Sequence, residues 1–343
     1  MLKTLKRLSL RSLKGTGVFH LFLHSPWRRE KLLILCYHGI AIEDEQQWNP
    51  ALYLTAGVFR SRMEMLKRKG AAVLPLDEGI ERLYSGDLPP GSVAITFDDG
   101  FYDFYSVAFP ILKEYGFPAT VYLTTYYCDY NAGVFDPMAA YLLWKGRGGP
   151  GEACRKLLEL EPSIDLSTKA GRDNVFASIR AFAERRNLSA HEKDQLLRDL
   201  ARSLQVDYGA IASKRILHLM NPAEIKSLLS SGIVDIELHT HRHRTPSDRG
   251  LFLREIRDNR KRIEEIAERP TFHFCYPSGV HKPEFLPWLK EEKVRSATTC
   301  EPGFATRETN PLLLPRLVDV STLAPIEFEG WLCGASAFLP ARR

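Results

Sequence analysis

The sequence predicts an α/β fold, a parallel sheet with helices outside it, and three observations carry that prediction. Short apolar runs at 32–37, 92–97, 119–124 and 233–238 read as strands. Segments of helical spacing alternate with them, at 58–69, 76–84, 106–115 and 251–268. Chemistry-bearing residues stand directly after three of the runs: His38, then Asp98-Asp99, then His239 to His243. Parallel α/β folds place their reactive groups at the carboxyl ends of strands. Alternation alone does not separate a (β/α) barrel from an open doubly wound sheet.

The 343 residues, 44% of them hydrophobic, can bury one large domain or a domain with an insertion. The net charge of +5 is mild. Its basic excess gathers at the N-terminus rather than along a face, so no nucleic-acid partner is expected.

Residues 1–30 carry Lys3, Lys6, Arg7, Arg11, Lys14, Arg28 and Arg29, with Leu2, Leu5 and Leu8 at helical spacing. This is a basic amphipathic segment able to lie on an anionic membrane; a solvated tail is the equally weighted alternative. The run 18–23 is too short to span a bilayer. His20 and His24 interrupt it, and 25–29 offers no small-residue cleavage site, so no secretion signal is read. Six scattered cysteines (Cys36, Cys128, Cys154, Cys275, Cys300 and Cys333) form no C-x-x-C pair and suit a reducing compartment. The expected location is cytoplasmic, peripheral at the inner membrane face.

The first strand, 32–37, delivers His38 before Gly39. Thr55 caps the helix at 58–69, 73–76 is a short strand, and 76–84 a small helix. Pro89-Pro90-Gly91 opens the strand at 92–97, in which Val93, Ile95 and Phe97 alternate. The helix 106–115 stops at Gly116 and the strand 119–124 follows. From 129 to 215 the chain turns polar, helical and strand-poor. It has a glycine-rich loop at 145–151, and Leu157, Ile164, Phe176, Ile179, Phe182, Leu196, Leu197 and Leu200 stand among charges. We read 129–215 as a helical insertion dividing a barrel-like part into 31–128 and 216–343, either a wall over the substrate or surface decoration. Asn221-Pro222 caps the next helix, and 251–268 ends near Pro270.

Adjacent carboxylates resist joint ionisation. A divalent cation relieves Asp98-Asp99 by taking one as ligand and leaving the other as base; a plain Asp-Gly turn is the competing reading. His239 and His243, four apart, can aim at one ion, and two imidazoles with one carboxylate leave coordination positions open, as catalytic metal sites do. His241, between them, is unassigned.

Thr96-Phe97-Asp98-Asp99-Gly100 and His239-Thr240-x-x-His243, in this order, resemble the first two motifs of the polysaccharide deacetylases, the NodB-homology group or carbohydrate esterase family four. A reduced third motif stands at Phe274-Cys275-Tyr276-Pro277-Ser278-Gly279. Milder likeness covers most of the chain outside the tail and the middle segment. The resemblance implies a distorted, incomplete (β/α) barrel and a hydrolase that removes N-acetyl groups from an acetylated amino sugar. With no secretion signal read and a basic tail, a glycan intermediate or a lipid- or nucleotide-linked sugar is the expected substrate. The resemblance also implies Asp99, His239 and His243 as ligands of a divalent metal, zinc first, with nickel, cobalt and iron open. Asp98 becomes the base for a metal-activated water, and Tyr276, Pro277 and Ser278 form the substrate and oxyanion side, with a backbone N–H near Ser278.

The chain departs from the family pattern at three points. Cys275 takes the place of the third motif's arginine, the aspartate-tryptophan motif is not recognisable, and no histidine follows His281. His38 is therefore expected as the general acid. Arg316, in Leu314-Pro315-Arg316, is expected to orient Asp98, a peripheral salt bridge being the alternative. The missing late histidine and third-motif arginine keep open a carbohydrate-binding protein that has lost turnover; a metal amidohydrolase acting on a small cyclic amide is a further alternative.

Overall fold

The computed structural model describes residues 2–148 and 165–339. Nine strands are described: β1 (Leu33–Tyr37), β2 (Gly39–Ile40), β3 (Tyr53–Leu54), β4 (Val93–Phe97), β5 (Ala119–Leu123), β6 (Val234–Leu238), β7 (His273–Cys275), β8 (Ser296–Thr298) and β9 (Leu317–Val318). Seven form one sheet in the order β8-β7-β6-β5-β4-β1-β9, every pairing parallel, and β2 and β3 pair separately.

The sheet curls into a half-barrel, and one segment links its two edges. Leu314 bridges Thr298 beside β8, while Leu317 and Val318 pair with Leu35 and Cys36 of β1. Arg316 lies in the middle of this closing segment.

Side chains alternate across each strand. Leu33, Leu35, Tyr37, Val93, Ile95, Phe97, Val121, Ile236 and Leu238 face outward into the main core. There they meet Phe59, Met63 and Leu66 of helix Ala56–Arg68, and Phe252, Ile256 and Ile263 of helix Arg249–Ala267. The intervening residues face inward: Ile34, Ala94, Tyr122 and Cys275 form a smaller inner cluster, with Thr96, Asp98, His239 and Arg316 buried among them. This polar interior is where the alternation of β4 and β6 delivers its reactive groups.

Thr55 caps the first core helix as expected, its hydroxyl accepting from the Val58 N–H at 3.2 Å. Asn221 and Glu224 form a reciprocal capping box on helix Pro222–Leu229. Two expectations need correction. The strand expected at 73–76 is a single bridge, Val73 to Val93, because Pro75 has no N–H to extend a ladder and Leu76 already opens helix Leu76–Ser85. The helix expected from 106 begins earlier, with a wide turn over Phe104–Ala108 before Phe109–Tyr115. Pro110 cannot donate to the preceding turn, which accounts for the widening.

Between β5 and β6 in the chain come helices Phe135–Lys145, Lys169–Arg185, Ala190–Ser203 and Tyr208–Ser213. Ile179, Leu196, Leu197 and Leu200 are buried in the shared core there. Leu157, Ile164 and residues 149–151 of the glycine-rich loop lie outside the described residues.

The N-terminal segment forms helices Leu2–Gly15, Val18–His24 and Pro26–Arg29. Leu10 is buried against Gly330, where an added Cβ would lie 2.9 Å from Leu10 Cδ2. Arg7 pairs with Glu327 at 2.9 Å and Lys14 with Glu329 at 2.6 Å. The solvated-tail alternative therefore fails. Arg28, counted among the surface charges, is fully buried and donates to the carbonyls of Leu332, Lys31 and Ser92. Among the described residues, no helix is long and apolar enough to cross a membrane.

Candidate metal centre

β1 and β4 run in register, Cys36 beside Thr96 and Tyr37 beside Phe97, so His38 and Asp98 leave the sheet together. Asp98 follows the inward alternation and is 2% exposed. Strict alternation would send Asp99 outward, but its backbone is left-handed (φ 70°), which turns the second carboxylate back toward the interior. Gly100 follows at φ 84°, and a Cβ there would lie 2.2 Å from Leu123 Cδ1. The glycine after the two carboxylates is a steric requirement.

β6 ends the same way. His239 faces inward, and left-handed residues Thr240 (φ 63°) and His243 (φ 53°) fold the tract back on itself. The rings of His239 and His243 then lie 5.0 Å apart. His239 Nδ1 hydrogen-bonds the Cys275 carbonyl at 2.9 Å, which presents Nε2 to the site. Its backbone N–H donates to Asn259 Oδ1 at 2.9 Å, and the Asn259 amide donates in turn to the Leu123 carbonyl and Thr125 Oγ1. His241 is directed elsewhere, its Nδ1 bonded to Thr125 Oγ1 at 2.8 Å.

Asp99 Oδ1 lies 3.3 Å from His239 Nε2 and 3.2 Å from His243 Nε2. The edge between nitrogen and oxygen ligands of a tetrahedral zinc is about 3.4 Å, from metal–ligand bonds near 2.0–2.2 Å. Oδ1 is also buried without a hydrogen-bond partner among the described residues. An orphaned carboxylate oxygen facing two imidazole nitrogens at that spacing fits a divalent cation.

Asp98 is held differently. Arg316, fully buried, donates Nη1 to Oδ1 at 2.7 Å and Nη2 to Oδ2 at 2.8 Å. The guanidinium is itself fixed by the Thr299 carbonyl, Thr96 Oγ1 and Cys275 Sγ. This excludes the peripheral salt bridge. Burial works against charge on Asp98, but Arg316 first, then His38 and His239, hold its carboxyl far below the usual range. Asp99 is drawn down to about 2, its burial outweighed by His243 and His239. Both carboxylates are therefore ionised near neutrality.

His38 Nε2 stands 3.7 Å from Asp98 Oδ2, and its Nδ1 is buried without a partner among the described residues. Tyr276 lies deeper than the substrate side expected for it: its ring is fully buried and its hydroxyl donates to the Leu312 carbonyl at 3.0 Å. Pro277 is buried too, whereas Ser278 is exposed and left-handed (φ 56°).

Sequence reasoning missed Asn259, Thr96 and the thiols of Cys36 and Cys275, both 3.5 Å from Asp98 Oδ2. Asn259 had a signal. It falls on the apolar stripe Phe252, Ile256, Ile263, Ile266 of its helix, where a buried amide needs a polar reason. Cys275 had one too, its place in the third motif where the family pattern carries an arginine, whereas Cys36, a cysteine in an apolar strand, reads as core.

The family model for polysaccharide deacetylase matches residues 85–143 and 186–297, which contain both the carboxylate pair and the histidine tract. A poly-β-1,6-N-acetyl-D-glucosamine N-deacetylase of Staphylococcus epidermidis is 43% identical over 67 residues, 20% of this chain and 23% of that protein. One of Escherichia coli is 28% identical over 100 residues, 29% of this chain and 15% of that protein. The chain thus spans under a third of the length of these curated relatives. Among solved structures, a Streptococcus pyogenes deacetylase in complex with acetate aligns with a TM-score of 0.56 at 19% identity, covering 87% of this chain and 96% of that one. IcaB from Ammonifex degensii aligns at 0.53 and 15% identity, covering 89% and 97%. At such identities the two structures speak for the fold alone, and it is the half-barrel seen here. With both motifs inside the matched residues and their side chains converging on one interior, the chain belongs to the polysaccharide deacetylase family.

Proposed function

We propose that the protein is a metal-dependent N-deacetylase of an N-acetylated amino-sugar polymer, a class to which the poly-N-acetylglucosamine named for its relatives belongs. The observation that carries this reading is the unequal treatment of two neighbouring carboxylates: Asp98 is locked by a guanidinium, while Asp99 Oδ1 is left bare between two imidazoles. Asp99, His239 and His243 hold the cation; zinc fits first, and nickel, cobalt or iron suit the same donors. When bound, the cation acidifies a water and polarises the acetamide carbonyl, which suits a proton acceptor as weakly basic as Asp98. Arg316 keeps Asp98 ionised and fixes the direction of its lone pairs. Asp98 accepts the water's proton as general base. His38, whose ring is not tied to the backbone, delivers a proton to the departing amine. The Ser278 turn is the exposed end of the third motif and the side on which the developing oxyanion is received.

The test is acetate release from N-acetylglucosamine oligomers by the metal-loaded protein. Release that stops with chelator and returns with added ion supports the reading. No acetate from any oligomer at full metal occupancy would leave a carbohydrate-binding protein.

We also place the N-terminal helices against an anionic membrane, with the protein on the cytoplasmic side. Residues 1–29 contain no Asp or Glu, and Leu8 and Leu21 are exposed at 54% and 69%. Arg28 ties this layer to Ser92, at the end of β4 opposite Asp98, so the site opens away from that surface. Co-sedimentation with vesicles containing anionic lipid, lost when Lys6 and Arg11 become Glu, checks this placement.

A further inference from the structure

The interior beside the metal centre holds a second set of donor atoms that the proposed reaction does not use as ligands. Cys36 and His38 are two apart at the end of β1 and so share a face. The register of β1 with β4 brings Asp98 alongside them. Cys36 Sγ lies 3.5 Å and His38 Nε2 3.7 Å from the same oxygen, Asp98 Oδ2, and the three atoms lie within 4.8 Å of one another.

We propose that Cys36, His38 and Asp98 form a second cation site, for thiophilic ions such as cadmium or excess zinc, and that filling it silences the deacetylase. The separations from Oδ2 are close to the edges of a tetrahedral site, about 3.6 Å from sulfur to oxygen and about 3.4 Å from nitrogen to oxygen. His38 is tied to no hydrogen-bond partner through Nδ1, so its ring can settle on a cation without breaking a bond. Its side chain is 16% exposed, giving an ion a way in from the mouth of the half-barrel. The fourth coordination position falls to water. Binding replaces the S–H bond of Cys36 by a sulfur–metal bond, and the proton leaves to solvent.

Two features separate this set from the first. It includes a sulfur donor, which selects soft ions, whereas Asp99, His239 and His243 offer only nitrogen and oxygen. It also shares no ligand with that centre, so filling it takes no donor from the first ion. A further grouping of Asp98, His239 and Cys275 takes His239 from the first centre and cannot be filled beside it. Arg316 opposes cation binding by its charge, yet it occupies only one lone pair on each Asp98 oxygen. At Oδ2 the other faces the long contacts of the Cys36 and Cys275 thiols, of which Cys36 gives up its proton on binding and Cys275 has to yield. The repulsion from Arg316 makes the second site the weaker one. A cation there takes Asp98 as ligand and removes the base. That consequence rests on the deacetylase reading above; the site itself does not.

The experiment is a cadmium titration of the full chain, with bound metal counted by equilibrium dialysis and thiolate–cadmium charge transfer followed in the ultraviolet. Two equivalents are expected, only the second producing the charge-transfer band. Cys36→Ser should bind one equivalent without the band, and Cys275→Ser should keep both. His38→Gln, at a partly exposed position, should weaken the second equivalent at least tenfold and retain the first. A single equivalent in the wild type, or a band that survives Cys36→Ser, overturns the site. Acetate release should fall in step with the second equivalent, and full activity with both bound overturns the silencing. If no acetate is released under any condition, the deacetylase reading falls while the dialysis count still decides the site.

Discussion

The sealed and open halves of this site are built one residue apart. Asp98 lies in a closed interior of guanidinium, threonine and thiols, every carboxylate oxygen engaged. Asp99, turned by a left-handed backbone, faces His239 and the exposed His243 with one oxygen unsatisfied. The same residue type thus serves as a fixed proton acceptor on one side and as a metal ligand on the other. What separates them is the number of hydrogen bonds the fold provides to each.

The largest effect should come from exchanging the two carboxylates in turn for amides. Asp98→Asn should lower turnover by about 10²–10⁴, the range for loss of a general base, and leave the metal of the first centre in place. Asp99→Asn should lose the metal. Metal analysis beside acetate release reads both, and if Asp98→Asn loses metal while Asp99→Asn keeps it, the assignment is reversed.

Next in size is the seal itself. Arg316→Ala leaves a buried carboxylate unpaired and should destabilise the fold by about 3–5 kcal/mol in denaturant titrations at pH 7. Arg316→Lys should recover part of this, keeping the charge without the two-pronged geometry. The sign with pH follows from the depressed carboxyl of Asp98. Its contribution is full above the unfolded-state pKa, about 3.9, and is lost as pH falls toward the folded value. The gap between wild type and Arg316→Ala should narrow as pH falls, first as the unpaired Asp98 of the variant protonates in its buried site and then, below about pH 4, as the wild-type contribution is lost. A gap that is flat down to pH 2 would show that the pair stabilises by packing rather than charge.

The two halves also differ in how far the sequence disclosed them. The open half was legible, since Asp98-Asp99-Gly100 and His239 to His243 are local patterns at strand ends and needed only parallel strands to meet. Arg316 was legible as a candidate, but its burial was not. That depends on the segment 314–318 running from β8 to β1, a closure over long sequence separation that no local pattern encodes. The Cys36 thiol likewise gains its meaning only from the curl of the sheet, while Asn259 and Cys275 carried a local signal whose partners the curl alone supplies. The strand expected at 73–76 failed for a local reason that could have been weighed, a proline inside the run.

His38 sits where the two halves meet, and His38→Ala should lower turnover at least tenfold, as loss of a general acid does, with the metal of the first centre retained. Unchanged turnover would remove it from the reaction and leave it as a donor of the second cation site alone.

The smallest effect tests whether position in the histidine tract or direction of the ring decides function. His241 stands between the two proposed ligands, yet its ring bonds Thr125 Oγ1 and packs edge-on against Tyr126. Burial lowers its pKa, so it is neutral at pH 7. His241→Ala should cost about 1 kcal/mol, one partly buried hydrogen bond, with metal content and turnover both retained. The loss should appear at Thr125, which also accepts from Asn259, the residue that holds the His239 backbone. A His241→Ala protein that loses metal would mean that support reaches the ligands through Asn259, and that the open half of the site is less independent of its surroundings than its exposure suggests.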